Sequence, residues 1–396
     1  MKLLWVKTDY LHPVDRGGRI RTLEMLKRLH QKHEVDYLTL EDPENPMGPV
    51  QAGEYCRRHY AVPHSVAAKN SLYFLWDLFR GVFSELPVAI ERWKSEAMRA
   101  KARDLDAQER YDAIVCDFLA PAASLDHWDR LVLFQHNVES LIWERHAERA
   151  STWLHNWYLQ SQARKMNRFE GLASRSFSRV ICVSEKDAEL TRTRFGRQDA
   201  TWVPTGVDTD FFAPPNLPPE HKADLIFLGS MDWLPNVDGA VWLTQEIMPL
   251  IWRHRPDTTV ALAGRRPTKR LRELSRDSRI LVTGTVEDVR PWLHGSLVSV
   301  VPLRIGGGTR LKIYEAMAAG IPTVSTSIGA EGLEVDPGRN ILLADSAESL
   351  AAECLKLLES PLQREAFAKE GLRLTREKMS WDAVTAIFET LIVSRV

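Results

Sequence analysis

Hydrophobic and polar positions along this chain fall into two alternating textures. Short, nearly unbroken apolar runs at 2–7, 35–40, 111–116, 131–134, 180–184, 224–228, 259–263, 280–282, 297–303, 323–325 and 341–343 read as strands buried on both faces. Between them, apolar residues recur at helical spacing. Helices are predicted over 19–32, 72–83, 92–110, 140–177, 186–195, 239–251, 310–319, 347–378 and 381–393. Strands that alternate with helices require parallel sheets with helices on their faces, an α/β class. The alternation runs once to about residue 203, breaks at the proline-rich stretch 204–219, and then starts again. Two doubly wound domains with a cleft between them follow as the expected architecture.

One stretch in the second half concentrates the chemistry. Residues 301–325 read VPLRIGGGTRLKIYEAMAAGIPTVS. A strand leads into Gly306, Gly307 and Gly308, and Thr309 is placed to cap a helix that Gly320 and Pro322 stop. A glycine loop between a strand's carboxyl end and a helix N-terminus is suited to phosphate oxygens. Arg310 and Lys312 lie in the first turn, where the helix dipole is already positive. A bound anion removes that conflict. Glu315, one turn on, is placed to accept hydrogen bonds from sugar hydroxyls. The plainer alternative is a tight turn with a solvated Lys312–Glu315 pair. Gly17 and Gly18 form a similar glycine turn after the first strand, followed by Arg19 and Arg21, for which solvated arginines are the plainer reading. His136 stands at the carboxyl end of the 131–134 strand, on the same edge as the glycine loops.

Composition narrows the field. At 396 residues two domains are the natural division, and a net charge of −1 argues against bulk nucleic-acid binding. Cys56, Cys116, Cys182 and Cys354 make no CxxC pair and read as thiols in a reducing cytosol, not as a zinc site. No apolar run reaches the ~18 residues of a membrane span, and residues 1–10 read as a first strand, not a signal peptide. The aromatic run 72–83 has three readings: buried core, a surface lying on a membrane, or a cover for an apolar acceptor.

Taken together, the motifs resemble those of GT-B fold retaining glycosyltransferases of family 4 (group 1), in the branch serving bacterial surface polysaccharides. The resemblance is carried by GG at 17–18, QHNVE at 135–139, VSE at 183–185, VPTGVD at 203–208 and LGSMDWLPNVDG at 228–239. It continues in AGRRP at 263–267, TGTVEDV at 283–289 and GGGTRLKIYEAMAAGIPTVST at 306–326. It implies two Rossmann-like domains facing a cleft: an acceptor-binding domain over 1–205, with a C-terminal helix 380–396 packing back on it, and a nucleotide-sugar domain over 206–379. It implies that Gly17 and Gly18 approach the donor diphosphate and that His136 sits near the transferred sugar. Gly264, Arg265 and Val286 would lie at the base-binding end. Gly307, Gly308 and Thr309 would hold phosphate oxygens, and Glu315 the ribose hydroxyls.

The chain departs from the family pattern in two respects, at three positions. The first of its two glutamates, seven residues apart, is replaced by Gly307. The Arg and Lys that the family often carries after the first strand of the second domain are Ser230 and Asn236 here. Arg310 and Lys312 are therefore expected to neutralise the diphosphate, with His136 completing the catalytic set and no metal or other cofactor required. The donor is expected to be a UDP- or GDP-linked sugar, and the acceptor a glycan or polyprenyl-diphosphate-linked saccharide. The setting is the cytoplasm, at the inner face of the cytoplasmic membrane. Domain closure about the 204–219 linker would exclude water. A sugar-nucleotide epimerase of the same fold, and an inactive glycan-binding scaffold, are the alternatives.

Overall fold

The protein is represented by a computed structural model that describes residues 1–14, 17–66, 71–148, 152–216, 219–305 and 311–393. The chain forms two compact units, Met1–Pro204 with Thr385–Val396, and Thr205–Val384. In the first, β1 (Lys2–Val6), β2 (Glu34–Leu40), β3 (Arg58–Val62), β4 (Ala113–Asp117), β5 (Val132–Gln135), β6 (Arg179–Cys182) and β7 (Thr201–Trp202) make one parallel sheet in the order β3-β2-β1-β4-β5-β6-β7. Its central strands are buried throughout, Lys2 at the start of β1 excepted, because helices cover both faces. Trp5 packs its ring 5.6 Å from Phe388, and Phe134 4.9 Å from the same ring, so the last turns of the Trp381–Val393 helix belong to this unit's core.

In the second unit β8 (Ala223–Leu228), β9 (Val260–Ala263), β10 (Ile280–Gly284), β11 (Ser296–Val301), β12 (Thr323–Ser325) and β13 (Leu342–Leu343) form another parallel sheet, β10-β9-β8-β11-β12-β13. Each unit thus repeats the doubly wound order in which the chain reverses direction between its first and fourth strands. A crevice for ligands opens there, outside the strands' carboxyl ends. In the first unit this switch point lies between β1 and β4, where Val6 pairs with Cys116. In the second it lies between β8 and β11.

Several elements differ from expectation. Strands β3 and β7 are not among the apolar runs that predict strands. β3 alternates exposed and buried positions at the sheet's edge, and β7 is two residues long, so neither shows an apolar run. The 140–177 helix is two, Glu139–Glu148 and Trp153–Ser176, the second capped by Thr152. The helix expected from 92 starts at Glu96, where Ser95 accepts from the Met98 N–H. Gly17 and Gly18 are not in a turn before the first helix; they are its first two residues, Gly17–Lys32. The run 72–83 is a helix, Leu72–Phe83, but not a core one: Leu72, Tyr73 and Phe83 are 83%, 78% and 75% exposed.

Candidate functional site

At the first switch point three strand ends meet in one buried ionic cluster. Asp117, the last residue of β4, is fully buried and uses both carboxylate oxygens. Oδ1 lies 2.7 Å from His136 Nε2, at the end of β5. Oδ2 accepts from Lys7 Nζ at 3.0 Å, Trp5 Nε1 at 3.1 Å and Thr22 Oγ1 at 2.7 Å. Burial alone would raise this carboxyl, but Lys7 and the hydrogen bonds from His136 and Trp5 hold it well below the usual carboxylate range. Burial pushes the His136 ring down to about 4, against the pull of Asp117. His136 is therefore neutral at physiological pH, with Nε2–H donated to Asp117 and Nδ1 left as an acceptor.

Phe118 frames this cluster. Its ring stacks on His136 at 3.8 Å, and the Lys7 ammonium lies 3.9 Å from its centroid. It holds φ +71°, a conformation that costs a bulky residue about 1–3 kcal/mol. Gly18 is explained by the same ring, since a Cβ there would come within 2.6 Å of Phe118 and 3.6 Å of His136 Nδ1. Gly17 faces open space. Arg21, for which a solvated side chain is the plainer of two readings, is 4% exposed, so the plainer reading does not hold for it. Beside the cluster, Glu170 accepts from the backbone N–H groups of Glu139 (2.7 Å) and Ser140 (2.8 Å) at a helix N-terminus, and from Gln135. Burial, with Glu170 adding to it, pushes the Glu139 carboxyl up to about 7.

The second switch point is arranged differently. Gly307, Gly308, Thr309 and Arg310, which the sequence singles out, lie outside the described residues. The helix that follows, Leu311–Ala318, carries Lys312 and Glu315. Lys312 Nζ reaches back to Asn236 Oδ1 at 2.8 Å, and its ammonium lies 4.7 Å from the Phe227 ring. Asn236 is itself fixed by donating to the Ser230 carbonyl at 3.0 Å. From the loop after β9, Arg265 Nε donates to Ser230 Oγ at 3.1 Å. The two positions that lack the family's cations are thus met in space by cations from elsewhere, Arg265 at Ser230 and Lys312 at Asn236. Glu315 is half-buried, and desolvation pushes its carboxyl up to about 6, with Lys312 pulling it back. It remains a carboxylate, and so an acceptor, at pH 7.

Gly264 has a separate reason. It holds φ +151°, and a Cβ there would lie 1.7 Å from the Gly229 carbonyl, so the loops after β8 and β9 touch backbone to backbone. Val286 is half-buried in the loop beyond β10 and Arg265 is exposed. Gly229, Gly264, Arg265, Val286, Lys312 and Glu315 accordingly share one carboxyl edge. Gly17, Gly18 and His136 share that of the other unit. Sequence reasoning assigned no role to Lys7 or Asp117, and none of its own to Glu139 within the 135–139 motif. The only signal was their place at strand ends or one helical turn beyond. No three His, Cys, Asp or Glu side chains gather as a metal site among the described residues.

Comparisons with known proteins fall on the same two units. Residues 16–211 match the family model described as Glycosyltransferase Family 4, and residues 222–360 that of Glycosyl transferases group 1. Among curated proteins, an uncharacterized 44.6 kDa protein in the cps region of Klebsiella pneumoniae is 22% identical over 87% of this chain and 87% of its own. The lipopolysaccharide core biosynthesis mannosyltransferase LpsB of Rhizobium meliloti is 25% identical over 47% of this chain and 60% of its own. Among solved structures, Alr3699/HepE of Anabaena in complex with UDP superposes with a TM-score of 0.65 at 14% identity, over 99% of both chains.

Proposed function

Because the chain belongs to the GT-B glycosyltransferases, family 4 over its first half and group 1 over its second, we propose that it moves a hexose-type sugar from a UDP- or GDP-sugar to a glycan or lipid-linked acceptor in cell-surface polysaccharide synthesis. The cps-region and lipopolysaccharide-core relatives support that setting, and the UDP complex of the HepE neighbour supports the donor class. The observation that carries the proposal is the convergence of Arg265 on the loop after β8 and of Lys312 on the helix that follows it, beside half-buried Glu315. These groups suit a nucleoside diphosphate: cations for the phosphates, a carboxylate for the ribose hydroxyls.

In the transfer, the bond between the anomeric carbon and the phosphate oxygen breaks, and the nucleoside diphosphate leaves with the electron pair. The acceptor hydroxyl oxygen bonds to the same carbon on the face just vacated, so configuration is retained. Its proton passes to the departing phosphate oxygen. Lys312, with Arg310 and Arg265, neutralises the developing charge without a metal. His136, neutral and fixed by Asp117, offers Nδ1 to a sugar hydroxyl. Gly17, Gly18, Gly307, Gly308 and Thr309 let phosphate oxygens approach backbone N–H groups, and Gly264 and Val286 border the base.

The lipid-linked acceptor places the enzyme at the inner face of the cytoplasmic membrane. Support comes from the Leu72–Phe83 helix, which leaves Trp76 and Phe79 57% and 55% exposed with their rings stacked at 5.5 Å. Among the described residues no helix is long and apolar enough to cross a membrane.

The test is thermal denaturation with UDP, GDP and ADP on wild type and Glu315→Ala. One nucleotide, at a hundred times its dissociation constant, should stabilise wild type by about 2.7 kcal/mol and leave the variant unmoved. No shift with any of the three would overturn the proposal.

A further inference from the structure

Phe118 stands just beyond β4 with φ +71°, a conformation that glycine or asparagine adopts readily and a bulky residue does not. Its backbone is tied down there. The N–H donates to the Phe134 carbonyl at 2.9 Å, and the carbonyl accepts from Cys116 Sγ at 3.3 Å. A strained residue persists where its surroundings over-determine it, and such residues cluster at functional sites. Neither backbone bond requires a phenyl group, and glycine would make both without strain. The reason for phenylalanine therefore lies in what its ring touches.

One face of that ring lies flat on His136, with centroids 3.8 Å and planes 14° apart. The other takes the Lys7 ammonium at 3.9 Å, since the stacked imidazole leaves no room for it on the first. The tip of the ring meets Gly18, where an added Cβ would lie 2.6 Å from Phe118 Cζ. The imidazole is enclosed in turn. Phe118 covers a face, Phe134 packs at 62° with centroids 4.6 Å apart, and Asp117 Oδ1 lies 2.7 Å from Nε2. Nδ1 makes no hydrogen bond among the described residues. A ring held at one nitrogen alone still turns about that bond; a flat stack stops the turning and keeps water off the imidazole. The charged groups that act on it are Asp117, which favours its protonation, and Lys7 and Arg21, which oppose it.

We propose that Phe118 is the positioning residue of His136: its strained backbone holds the phenyl ring flat on the imidazole, and the stack fixes the plane in which Nδ1 is presented as a bare acceptor. A bare acceptor repels phosphate oxygens and takes a hydroxyl. The substrate group that meets His136 is therefore a sugar hydroxyl and not the diphosphate. That last step rests on the transferase reading; the cage does not, and it is tested without substrate.

Nitrogen NMR of protein carrying isotope-labelled histidine tests it, with His136→Asn identifying the signals. Through an acid titration the wild-type ring should show one protonated and one bare nitrogen until it titrates near 4. Phe118→Gly removes the ring and relieves the backbone, so it should fold, and its His136 should titrate about one pH unit higher or more. Phe118→Leu, which restores apolar bulk without a flat face, should lie between the two. Gly18→Ala is the sharper variant. It takes nothing from the cage and adds one methyl in the path of the phenyl ring, and it should raise the midpoint as Phe118→Gly does. If the variants melt lower while the His136 midpoint and its two nitrogen signals stay as in wild type, Phe118 is packing alone and the proposal is overturned. A wild-type ring that is already doubly protonated at about pH 6, close to the ordinary histidine value, overturns it as well.

Discussion

The two switch points have the same topology and opposite finish. Between β1 and β4 the charges are matched inside the protein: Asp117 takes four donors, and Lys7 and His136 are spent on it. Between β8 and β11 the Lys312 ammonium rests on a neutral amide, Asn236, and Arg265 on a hydroxyl, Ser230. A cation bonded to a neutral acceptor can exchange that bond for one to an anion at less cost than a cation bonded to a buried carboxylate, and the neighbouring Glu315 carboxylate, which Lys312 pulls down, is only half-buried. The first edge is built to hold a shape, that of Phe118 and the neutral His136 ring, and the second to hold a charge. A topological switch point thus marks where a ligand can bind, and the pairing of its charges marks what each half contributes.

The largest expected effect comes from breaking the matched side. Asp117→Ala leaves Lys7 buried and uncompensated and takes an acceptor from Trp5, Thr22 and His136. Removing one partner of a buried ion pair costs about 3–5 kcal/mol. Urea denaturation should show a loss of that size, with the midpoint moving and the slope holding. A loss below about 1 kcal/mol, the range of exposed pairs, would mean that water reaches the cluster and that the contrast between the edges is false.

Acid probes the same side more gently. In the unfolded chain the His136 ring takes a proton near 6.5; in the fold it resists until about 4. The ring's own contribution to stability therefore falls as pH drops through that window, while the raised carboxyls of Glu139 and Glu315 contribute in the opposite direction. Asp117, held low in the fold, adds its own loss only below the ordinary carboxylate value near 3.8. Linkage gives about 2 kcal/mol between pH 7 and pH 5 from the histidine. In parallel denaturant titrations the stability of wild type relative to His136→Asn should fall by that amount between pH 7 and pH 5, since the carboxyl contributions are common to both proteins. Equal slopes in the two proteins would show that the ring is not held neutral.

Much of the fold could be read ahead of the structure because parallel strands, covered on both faces, are continuous apolar runs; eleven of them were placed. What failed was at edges. Arg58–Val62 alternates because one of its faces meets solvent, and Thr201–Trp202 is too short to have a pattern. The second site was legible as a local motif, since Lys312 and Glu315 follow a glycine loop directly in sequence. That Arg265 stands at Ser230 was not, because β8 and β9 lie side by side only once the sheet has formed. The first cluster was illegible for the same reason: Lys7, Asp117 and His136 come from three strands whose ends meet through register alone. For Arg21 solvation is the plainer reading because an arginine on an otherwise polar stretch of helix is usually exposed. Nothing in its neighbours announces that this turn faces the sheet.

The smallest change in stability is expected where the comparison matters most for activity. Lys312→Met keeps the length of the side chain and its contact with Phe227 and loses only the ammonium. The hydrogen bond to Asn236 is an exchange of partners with water at a half-buried site, so its removal should cost about 1 kcal/mol or less. Its charge, however, is the one the leaving diphosphate would need. Loss of a preorganised donor to developing negative charge typically lowers turnover about 10²–10³-fold. Lys312→Met should therefore fold and melt nearly as wild type, bind the uncharged part of the donor through Glu315 as before, and transfer sugar at a small fraction of the rate. If it instead lost several kcal/mol and kept its turnover, Lys312 would be a structural partner of Asn236. The second edge would then be as internally matched as the first, and the diphosphate charge would have to be met by Arg310 and Arg265 alone.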